Sequence, residues 1–187
     1  MSWAGQYAYG FDIPRPRVCG GDVLYMDFDG VAHVCEVYVE RTPTGRVLRP
    51  FIPSELASKH QLFEHAELLA DLLQPYPSVR IVLSTTWVRH MGYRVARSYL
   101  PPSLRARCVG ATYHSRMPGP WFDAMPRGQQ VREDVHRRRP DRWLAIDDVT
   151  LGWGDALKTH LVASHEILGI SAPWVRKWLV TELRRFA

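Results

Sequence analysis

Two carboxylates stand two residues apart directly after a short apolar run near the start of the chain. The run covers residues 23–26 and is followed by Asp27, Phe28, Asp29 and Gly30. Asp27 can attack phosphorus as a weakly basic nucleophile and form an aspartyl phosphate, while Asp29 donates and then accepts the proton. Gly30 permits a sharp turn and close approach of a substrate. The alternative interpretation is a solvated turn or a helix cap, because Asp and Gly favour turns.

A second polar cluster, Ser84-Thr85-Thr86, follows another apolar run at residues 79–83. Ser84 can donate a hydrogen bond to a phosphoryl oxygen, and Thr85, Thr86 and nearby backbone N–H groups can help to bind the phosphate. The alternative role for Ser84 is a helix N-cap, which serine often provides. The cluster by itself therefore leaves both roles open.

Two adjacent acids, Asp147 and Asp148, close a third apolar run. Neighbouring carboxylates repel each other unless a cation or a hydrogen-bond donor stabilises them. Mg²⁺ suits such a site because it takes oxygen ligands and keeps several waters. We expect metal bonds from the Asp27 carboxylate, the Asp29 backbone carbonyl and Asp147, with Asp148 holding a water on the metal.

Apolar runs and helical repeats alternate along the chain, and this order predicts an α/β fold. Strands that alternate with helices form an open parallel sheet, which binds ligands outside the carboxyl ends of its strands. All three polar clusters stand at such ends, so we expect the sheet to bring them together. The expected strands cover residues 23–26, 79–83, 108–112, 142–146 and 160–163, and expected helices include 92–99 and 127–139.

Two more helices are predicted from apolar spacing and capping residues. One begins at Ser58, which forms a capping box with Gln61, and ends near Leu73. The other ends the chain and is capped by Ser171. The tryptophans at positions 87, 143, 174 and 178 are expected in the core because their neighbours are apolar. Arg137-Arg138-Arg139 is expected to end its helix as cations facing the negative end of the helix dipole, with a nucleic-acid patch as the alternative.

Three short segments resemble motifs of the haloacid dehalogenase (HAD) superfamily. They are DFDGVAH from Asp27, LSTTW from Leu83 with Arg89 close behind, and AIDD ending at Asp148. More narrowly, they resemble the HAD domain of Swiss Army Knife RNA repair proteins. The resemblance implies a three-layer Rossmann-like fold and a polynucleotide phosphatase domain. The second carboxylate favours phosphoryl transfer over dehalogenation, because the dehalogenases of the superfamily lack it.

The chain departs from the family pattern at the third motif, which is normally a lysine that steadies the nucleophile and the phosphate. The lysines here are Lys59, Lys158 and Lys177, and none stands in the expected stretch. Arg127, just before a predicted helix, is the best equivalent and can supply the positive charge. Because Arg and Lys differ in geometry, this departure motivates the alternative of a catalytically weak module.

Length and composition predict one domain over residues 1–187, which the resemblance makes HAD-like. β-Branched and aromatic residues around a turn predict a small flap at about 31–52, and a small insert is possible at about 88–126. These segments are too short for a large cap, so we expect an open site. Arg89, His114 and Arg116 are candidate substrate-binding residues, because they can present positive charge to a phosphorylated partner. The alternative is that these residues only solvate loops and helix faces.

Composition is consistent with a basic, soluble protein. The formal net charge is +5, which favours anionic ligands, and the scattered cysteines 19, 35 and 108 suit reduced thiols. Residues 1–20 lack the basic head and apolar run of a signal peptide, and no apolar stretch is long enough for a membrane span. We expect a cytoplasmic protein that does not contact membranes.

Two functions from different classes remain. The first is a Mg²⁺-dependent phosphomonoester hydrolase that acts on a phosphorylated substrate, with nucleic-acid ends or nucleotides as candidates. The second is a catalytically weak HAD-like module that binds nucleic acid, which the arginine at position 127 motivates. Phosphate release distinguishes the two functions.

Overall fold

Five parallel strands form the central sheet of the computed structural model, which describes residues 13–45 and 47–187. The sheet has the order β5-β4-β1-β6-β7, and a separate antiparallel hairpin joins β2 to β3. Along the chain, the strands are β1 (Asp22–Met26), β2 (Tyr38–Arg41), β3 (Val47–Phe51), β4 (Arg80–Leu83), β5 (Cys108–Ala111), β6 (Arg142–Asp147) and β7 (Leu161–Ala163).

Helices connect the parallel strands, as crossover connections require. A 3-10 turn, Arg184–Phe186, follows the last helix. The helices are α1 (Ser54–Ala57), α2 (Ala66–Leu73), α3 (Thr86–Met91), α4 (Tyr93–Ser98), α5 (Pro102–Arg107), α6 (Gly119–Asp123), α7 (Arg127–Arg138), α8 (Gly154–Lys158) and α9 (Pro173–Leu183).

Both faces of the sheet are covered, which gives three layers. Successive residues of a strand point to opposite faces, so β1 contributes Leu24 to one core and Tyr25 to the other. The first core includes Leu69 of α2, and the second includes Val131 of α7. This arrangement confirms the predicted α/β, three-layer Rossmann-like fold.

The hairpin of β2 and β3 forms the flap predicted between β1 and the first long helix. Tyr38 lies opposite Phe51 in the hairpin register, and their side chains are exposed by 55% and 42%. The segment 88–126, where a small insert was considered, contains most of α3, all of α4, α5 and α6, and β5. Because β5 pairs with β4, this segment contributes an edge strand to the main sheet.

The predicted starts of two helices are wrong. The helix that ends at Leu73 begins at Ala66, and Ser58 is instead the residue that ends α1. Phe63 has a left-handed backbone (φ 61°), which a helix cannot continue through. The last helix begins with Pro173, and the Ser171 hydroxyl donates to the Leu168 carbonyl rather than capping the helix.

Two of the four tryptophans predicted to be core residues lie on the surface. Trp174 and Trp178 are exposed by 59% and 40%, whereas Trp87 is buried and Trp143 stacks on His160. In α9 the buried row consists of Val175, Leu179 and Leu183. Residues 174 and 178 are rotated by about 100° from that row, because an α-helix has 3.6 residues per turn.

The arginines at the end of α7 lie in its last turn, as predicted, but two of them are buried, which was not predicted. Arg137 and Arg138 are both 2% exposed and pair with the buried Asp134 at 2.9 and 2.8 Å. The Tyr25 hydroxyl donates to the same carboxylate at 3.0 Å. Asp134 lies one turn before the arginines, so its charge allows them to be buried.

The three cysteines are free, as expected. No helix in the described part of the chain is long and apolar enough to cross a membrane. Residues 1–12, part of the segment predicted to lack a signal peptide, lie outside the described residues.

Candidate active site

The three polar clusters meet at one edge of the sheet. Met26 is paired with Leu83 on one side and with Ile146 on the other. The next residue of each strand path is therefore Asp27, Ser84 and Asp147, with β1 in the middle. Because the strands are parallel, their carboxyl ends coincide, and the sheet brings together the residues that the sequence placed at these ends.

Asp27 is buried and accepts two hydrogen bonds. Its Oδ1 accepts from the Phe28 backbone N–H at 2.7 Å, and its Oδ2 accepts from Nη2 of Arg127 at 3.1 Å. The Nε of Arg127 lies 3.1 Å from Oδ2 of Asp147. One guanidinium at the first position of α7 therefore contacts both strand-end carboxylates, which is the position expected for the charge of the missing lysine.

The charges of this cluster are not balanced by Arg127 alone. Burial raises the pKa of Asp27 well above its ordinary value, and Arg127 offsets only part of this effect. Burial also raises the pKa of Asp147 to about 7 and raises the pKa of Asp148. For Arg127 burial acts to lower the pKa, but the nearby carboxylates raise it overall. Further positive charge would stabilise the ionised carboxylates.

A divalent cation fits this need. Asp27, Asp147 and Asp148 each offer an oxygen, and these atoms lie within 4.8 Å of one another. Oδ2 of Asp147 is buried and has no hydrogen-bond partner among the described residues, although it lies near Arg127. Three hard oxygen donors with one unsatisfied buried oxygen match the preference of Mg²⁺. Asp29 is outside this carboxylate group, which fits its predicted role through the backbone carbonyl.

Gly30 shapes the turn after the two acids. Its φ of 65° is left-handed, and a Cβ there would overlap the Asp148 carboxylate. Its carbonyl accepts a hydrogen bond from the Ser164 hydroxyl at 2.6 Å. Glycine is therefore required both by the backbone and by the space that Asp148 occupies. Ser164, directly after β7, was missed by the sequence analysis, although it too follows a strand end.

Ser84 and Thr85, which are neighbours in the hydroxyl cluster, have different roles. Ser84 Oγ is buried and has no hydrogen-bond partner among the described residues, so it is available to a ligand. The helix cap is Thr85, whose Oγ1 accepts from the Trp87 backbone N–H. The cap role considered for Ser84 is therefore wrong. Thr86 is the exposed first residue of α3.

Asp29 is held apart from the other carboxylates. Its side chain is 27% exposed, and it accepts hydrogen bonds from the Trp87 indole N–H and from His33. Trp87 was predicted from its apolar neighbours to be a core residue without a functional role. Its position three residues after Ser84, on the first turn of α3, is the signal that places it at the same sheet edge.

The three candidate substrate residues lie on the β5 side of the sheet. The Arg89 guanidinium stands over the Tyr113 ring and 3.6 Å from Asp123. His114 lines a cavity of about 830 Å³ beside β5, and burial lowers the pKa of His114. Arg116 donates its backbone N–H to the His114 ring. The described contacts of Arg89 and His114 do not reach the carboxylates, so the structure does not bring these two side chains to the acidic cluster.

Comparison with known protein families identifies the family of this chain. The model of the family described as "HAD domain in Swiss Army Knife RNA repair proteins" matches residues 23–175. No curated protein and no solved structure matches the chain. The matched range begins at the apolar run before Asp27, includes all three polar clusters and extends into α9.

Proposed function

The chain belongs to the family of HAD domains in Swiss Army Knife RNA repair proteins, and from this premise we propose that it is a Mg²⁺-dependent phosphomonoester hydrolase. The superfamily supports a hydrolase of the phosphatase type. The observation that carries the proposal is the cluster of Asp27, Asp147 and Asp148, in which the guanidinium of Arg127 contacts the first two carboxylates. Such a cluster suits a divalent cation and a phosphate better than a structural role, because buried unbalanced carboxylates destabilise a fold.

The proposed reaction has two steps, both carried by side chains of this chain. In the first, Asp27 forms a bond to phosphorus while the bond to the leaving oxygen breaks, and Asp29 gives that oxygen a proton. In the second, water attacks the aspartyl phosphate, Asp29 takes the water proton, and Asp27 is released with inorganic phosphate.

Other residues bind and balance charge in this proposal. The unpaired Ser84 hydroxyl donates to a phosphoryl oxygen, and Arg127 steadies the nucleophile. Asp27, Asp147 and the Asp29 carbonyl would hold Mg²⁺, with Asp148 holding a water on the metal, and the ion would supply positive charge to the phosphoryl oxygens. In this proposal Thr85 and Gly30, at the two turns that line the site, help to bind the phosphate through their backbone.

Nucleic-acid ends and nucleotides are the proposed substrates. The family description names RNA repair proteins, and the net charge of +5 favours polyanions. The arginines around β5 lie on one side of the site, where they can attract a phosphate backbone at longer range. Arg89 and Arg116 are proposed to act as such long-range charges and not to bind the reacting phosphate.

A second candidate, a catalytically weak module that binds nucleic acid, is supported by one observation. Arg127 contacts both Asp27 and Asp147 and so partly neutralises the carboxylates that the metal would need. Salt-dependent binding of single-stranded oligonucleotides without any phosphate release would favour this candidate.

The decisive test compares Asp27→Asn with the wild type on p-nitrophenyl phosphate and on 5′- and 3′-phosphorylated oligonucleotides, with Mg²⁺ or with EDTA. We expect phosphate release by the wild type only with Mg²⁺, and a loss on the order of 10⁴ or more in the variant. Asp155→Asn, whose carboxylate is 100% exposed, is the matched control and should behave as wild type. Equal rates for Asp27→Asn and the wild type would refute the mechanism.

A further inference from the structure

Two buried side chains hold the Asp29 carboxylate. The Nε1 of Trp87 lies 3.0 Å from both carboxylate oxygens, and the Nε2 of His33 lies 3.1 Å from Oδ1. Trp87 is 4% exposed and His33 is fully buried, whereas the carboxylate that they hold is partly exposed. The reacting group thus reaches solvent while its two donors do not.

The proton of His33 is directed towards Asp29 by the backbone. The Phe63 N–H donates to Nδ1 of His33 at 3.2 Å. Because a backbone N–H can only donate, Nδ1 is the accepting nitrogen and the ring proton is on Nε2, facing Asp29. Phe63 adopts the left-handed φ of 61°, which is unfavourable for a bulky residue. A strained residue therefore stands where its N–H orients the histidine.

Aromatic packing restricts both donors. The centroid of the Trp87 ring lies 5.5 Å from that of Phe28, 5.4 Å from that of Phe63 and 5.3 Å from that of Tyr99, and all three contacts are edge-to-face. The His33 ring lies 4.8 Å from Phe63. Neither ring can turn away from Asp29 without disrupting this cluster, so the hydrogen bonds have a fixed geometry.

We propose that His33 and Trp87 are positioning residues that hold the Asp29 carboxylate in the orientation from which it exchanges a proton with the leaving group. This inference rests on the proposed phosphatase function and deepens it. In the step concerned, the bond from phosphorus to the leaving oxygen breaks, the bond from Asp27 to phosphorus forms, and the Asp29 proton moves to the leaving oxygen. The contribution of the two residues therefore depends on how much the leaving group needs that proton.

Leaving groups of different acidity separate this role from a structural one. An alkoxide leaves poorly without a proton, whereas p-nitrophenolate leaves readily as an anion. We expect Trp87→Phe, which keeps the ring and removes the N–H, to lower kcat/KM for glycerol 2-phosphate roughly tenfold more than for p-nitrophenyl phosphate. A tenfold effect is a fraction of the roughly 10²- to 10⁴-fold rate acceleration that general acid catalysis contributes.

His33 is tested with a pair of variants. His33→Phe removes both ring nitrogens. Like Trp87→Phe, it should lower kcat/KM for glycerol 2-phosphate more than kcat/KM for p-nitrophenyl phosphate. His33→Gln provides an amide N–H donor in place of the ring and should bring the ratio of the two kcat/KM values partly back towards that of the wild type. Tyr99→Phe is the matched control, because it removes a hydroxyl from the same aromatic cluster and leaves the donors of Asp29 in place. Thermal unfolding of each variant, with and without Mg²⁺, reports whether the fold and the metal site are retained.

A second readout does not depend on turnover. In ¹⁵N-labelled protein the indole N–H signal of Trp87, identified by its loss in Trp87→Phe, should shift when Asp29 is changed to Ala. An unmoved signal would overturn the hydrogen bond and the proposal with it. Equal losses on both substrates in Trp87→Phe, or the same ratio change in Tyr99→Phe, would overturn the positioning role while leaving the phosphatase intact. A wild type that releases no phosphate would refute the proposed function itself, and the catalytic role of the two residues with it.

Discussion

Arg127 contacts two carboxylates at once, and this double contact distinguishes it from the lysine that the family pattern leads one to expect. Its Nη2 donates to Asp27, and its Nε lies beside Asp147 at the same distance of 3.1 Å. A lysine ammonium is a single point charge on a flexible stem and cannot present two separated donors in a fixed plane. The guanidinium therefore fixes the relative positions of the two acids.

Replacement of Arg127 by Lys tests this point at the level of a single residue. We expect kcat/KM on p-nitrophenyl phosphate to fall roughly tenfold or more, because one ammonium cannot both keep the hydrogen bond to Asp27, worth about 1.5–3 kcal/mol, and stay beside Asp147. Arg132→Lys, on the exposed side of the same helix, is the control and should leave the rate unchanged. A higher rate in Arg127→Lys would contradict the prediction and indicate instead that Arg127 suppresses the metal site.

At the scale of elements, the position of α7 decides whether Arg127 reaches the sheet edge. Gly128, the second residue of α7, packs so closely on the segment at Gly152 and Trp153 that a Cβ would overlap the Gly152 carbonyl. The loop after β6 and the start of α7 are therefore in direct contact. This contact places the first turn of α7 against the loop that continues from the two acids.

Gly128→Ala should displace the start of α7. Added volume in a packed contact costs about 1–3 kcal/mol of stability, and a shift of Arg127 should lower kcat/KM by roughly 10- to 100-fold. Urea unfolding and steady-state kinetics measure the two effects. Gln129→Ala, in the same turn and partly exposed, is the control. Full activity in Gly128→Ala would show that the close packing does not position Arg127.

For the whole molecule, an ion pair connects the start of the sheet with the chain end. Asp22, the first residue of β1, accepts from the Arg142 guanidinium at 2.8 and 2.9 Å and from Ser78. Arg142 also donates to the carbonyls of Arg185 and Ala187. The hydrogen bond from Arg142 holds the pKa of Asp22 below its ordinary value of 3.8.

This pair should make stability depend on pH in the acid range. Because the pKa of Asp22 is lower in the folded state, its contribution is complete above 3.8 and is lost as pH falls through the folded value. Wild type should therefore lose more stability than Asp22→Asn between about pH 6 and about pH 2. Urea unfolding across this range is the measurement, with Asp141→Asn as a nearby control. Parallel pH profiles for wild type and Asp22→Asn would contradict the linkage.

The sequence by itself determined the fold class and the meeting point of Asp27, Ser84 and Asp147. The reason is that strand–helix alternation implies a parallel sheet, and residues at the carboxyl ends of parallel strands share one edge. Five of the strands were predicted near their observed positions because buried parallel strands are continuous apolar runs. The family motifs identified the same residues independently.

Only the tertiary structure decided how these residues are held. Trp87 donates to Asp29 across 58 positions of the chain, and Arg127, which was predicted to supply charge to the nucleophile, also contacts Asp147. No periodicity or local motif encodes such pairs, because they depend on how layers pack after the chain has folded. For the same reason the burial of Arg137 and Arg138 and the exposure of Trp174 and Trp178 escaped prediction: a residue's own polarity does not reveal which partner or which face of the helix the fold will present to it.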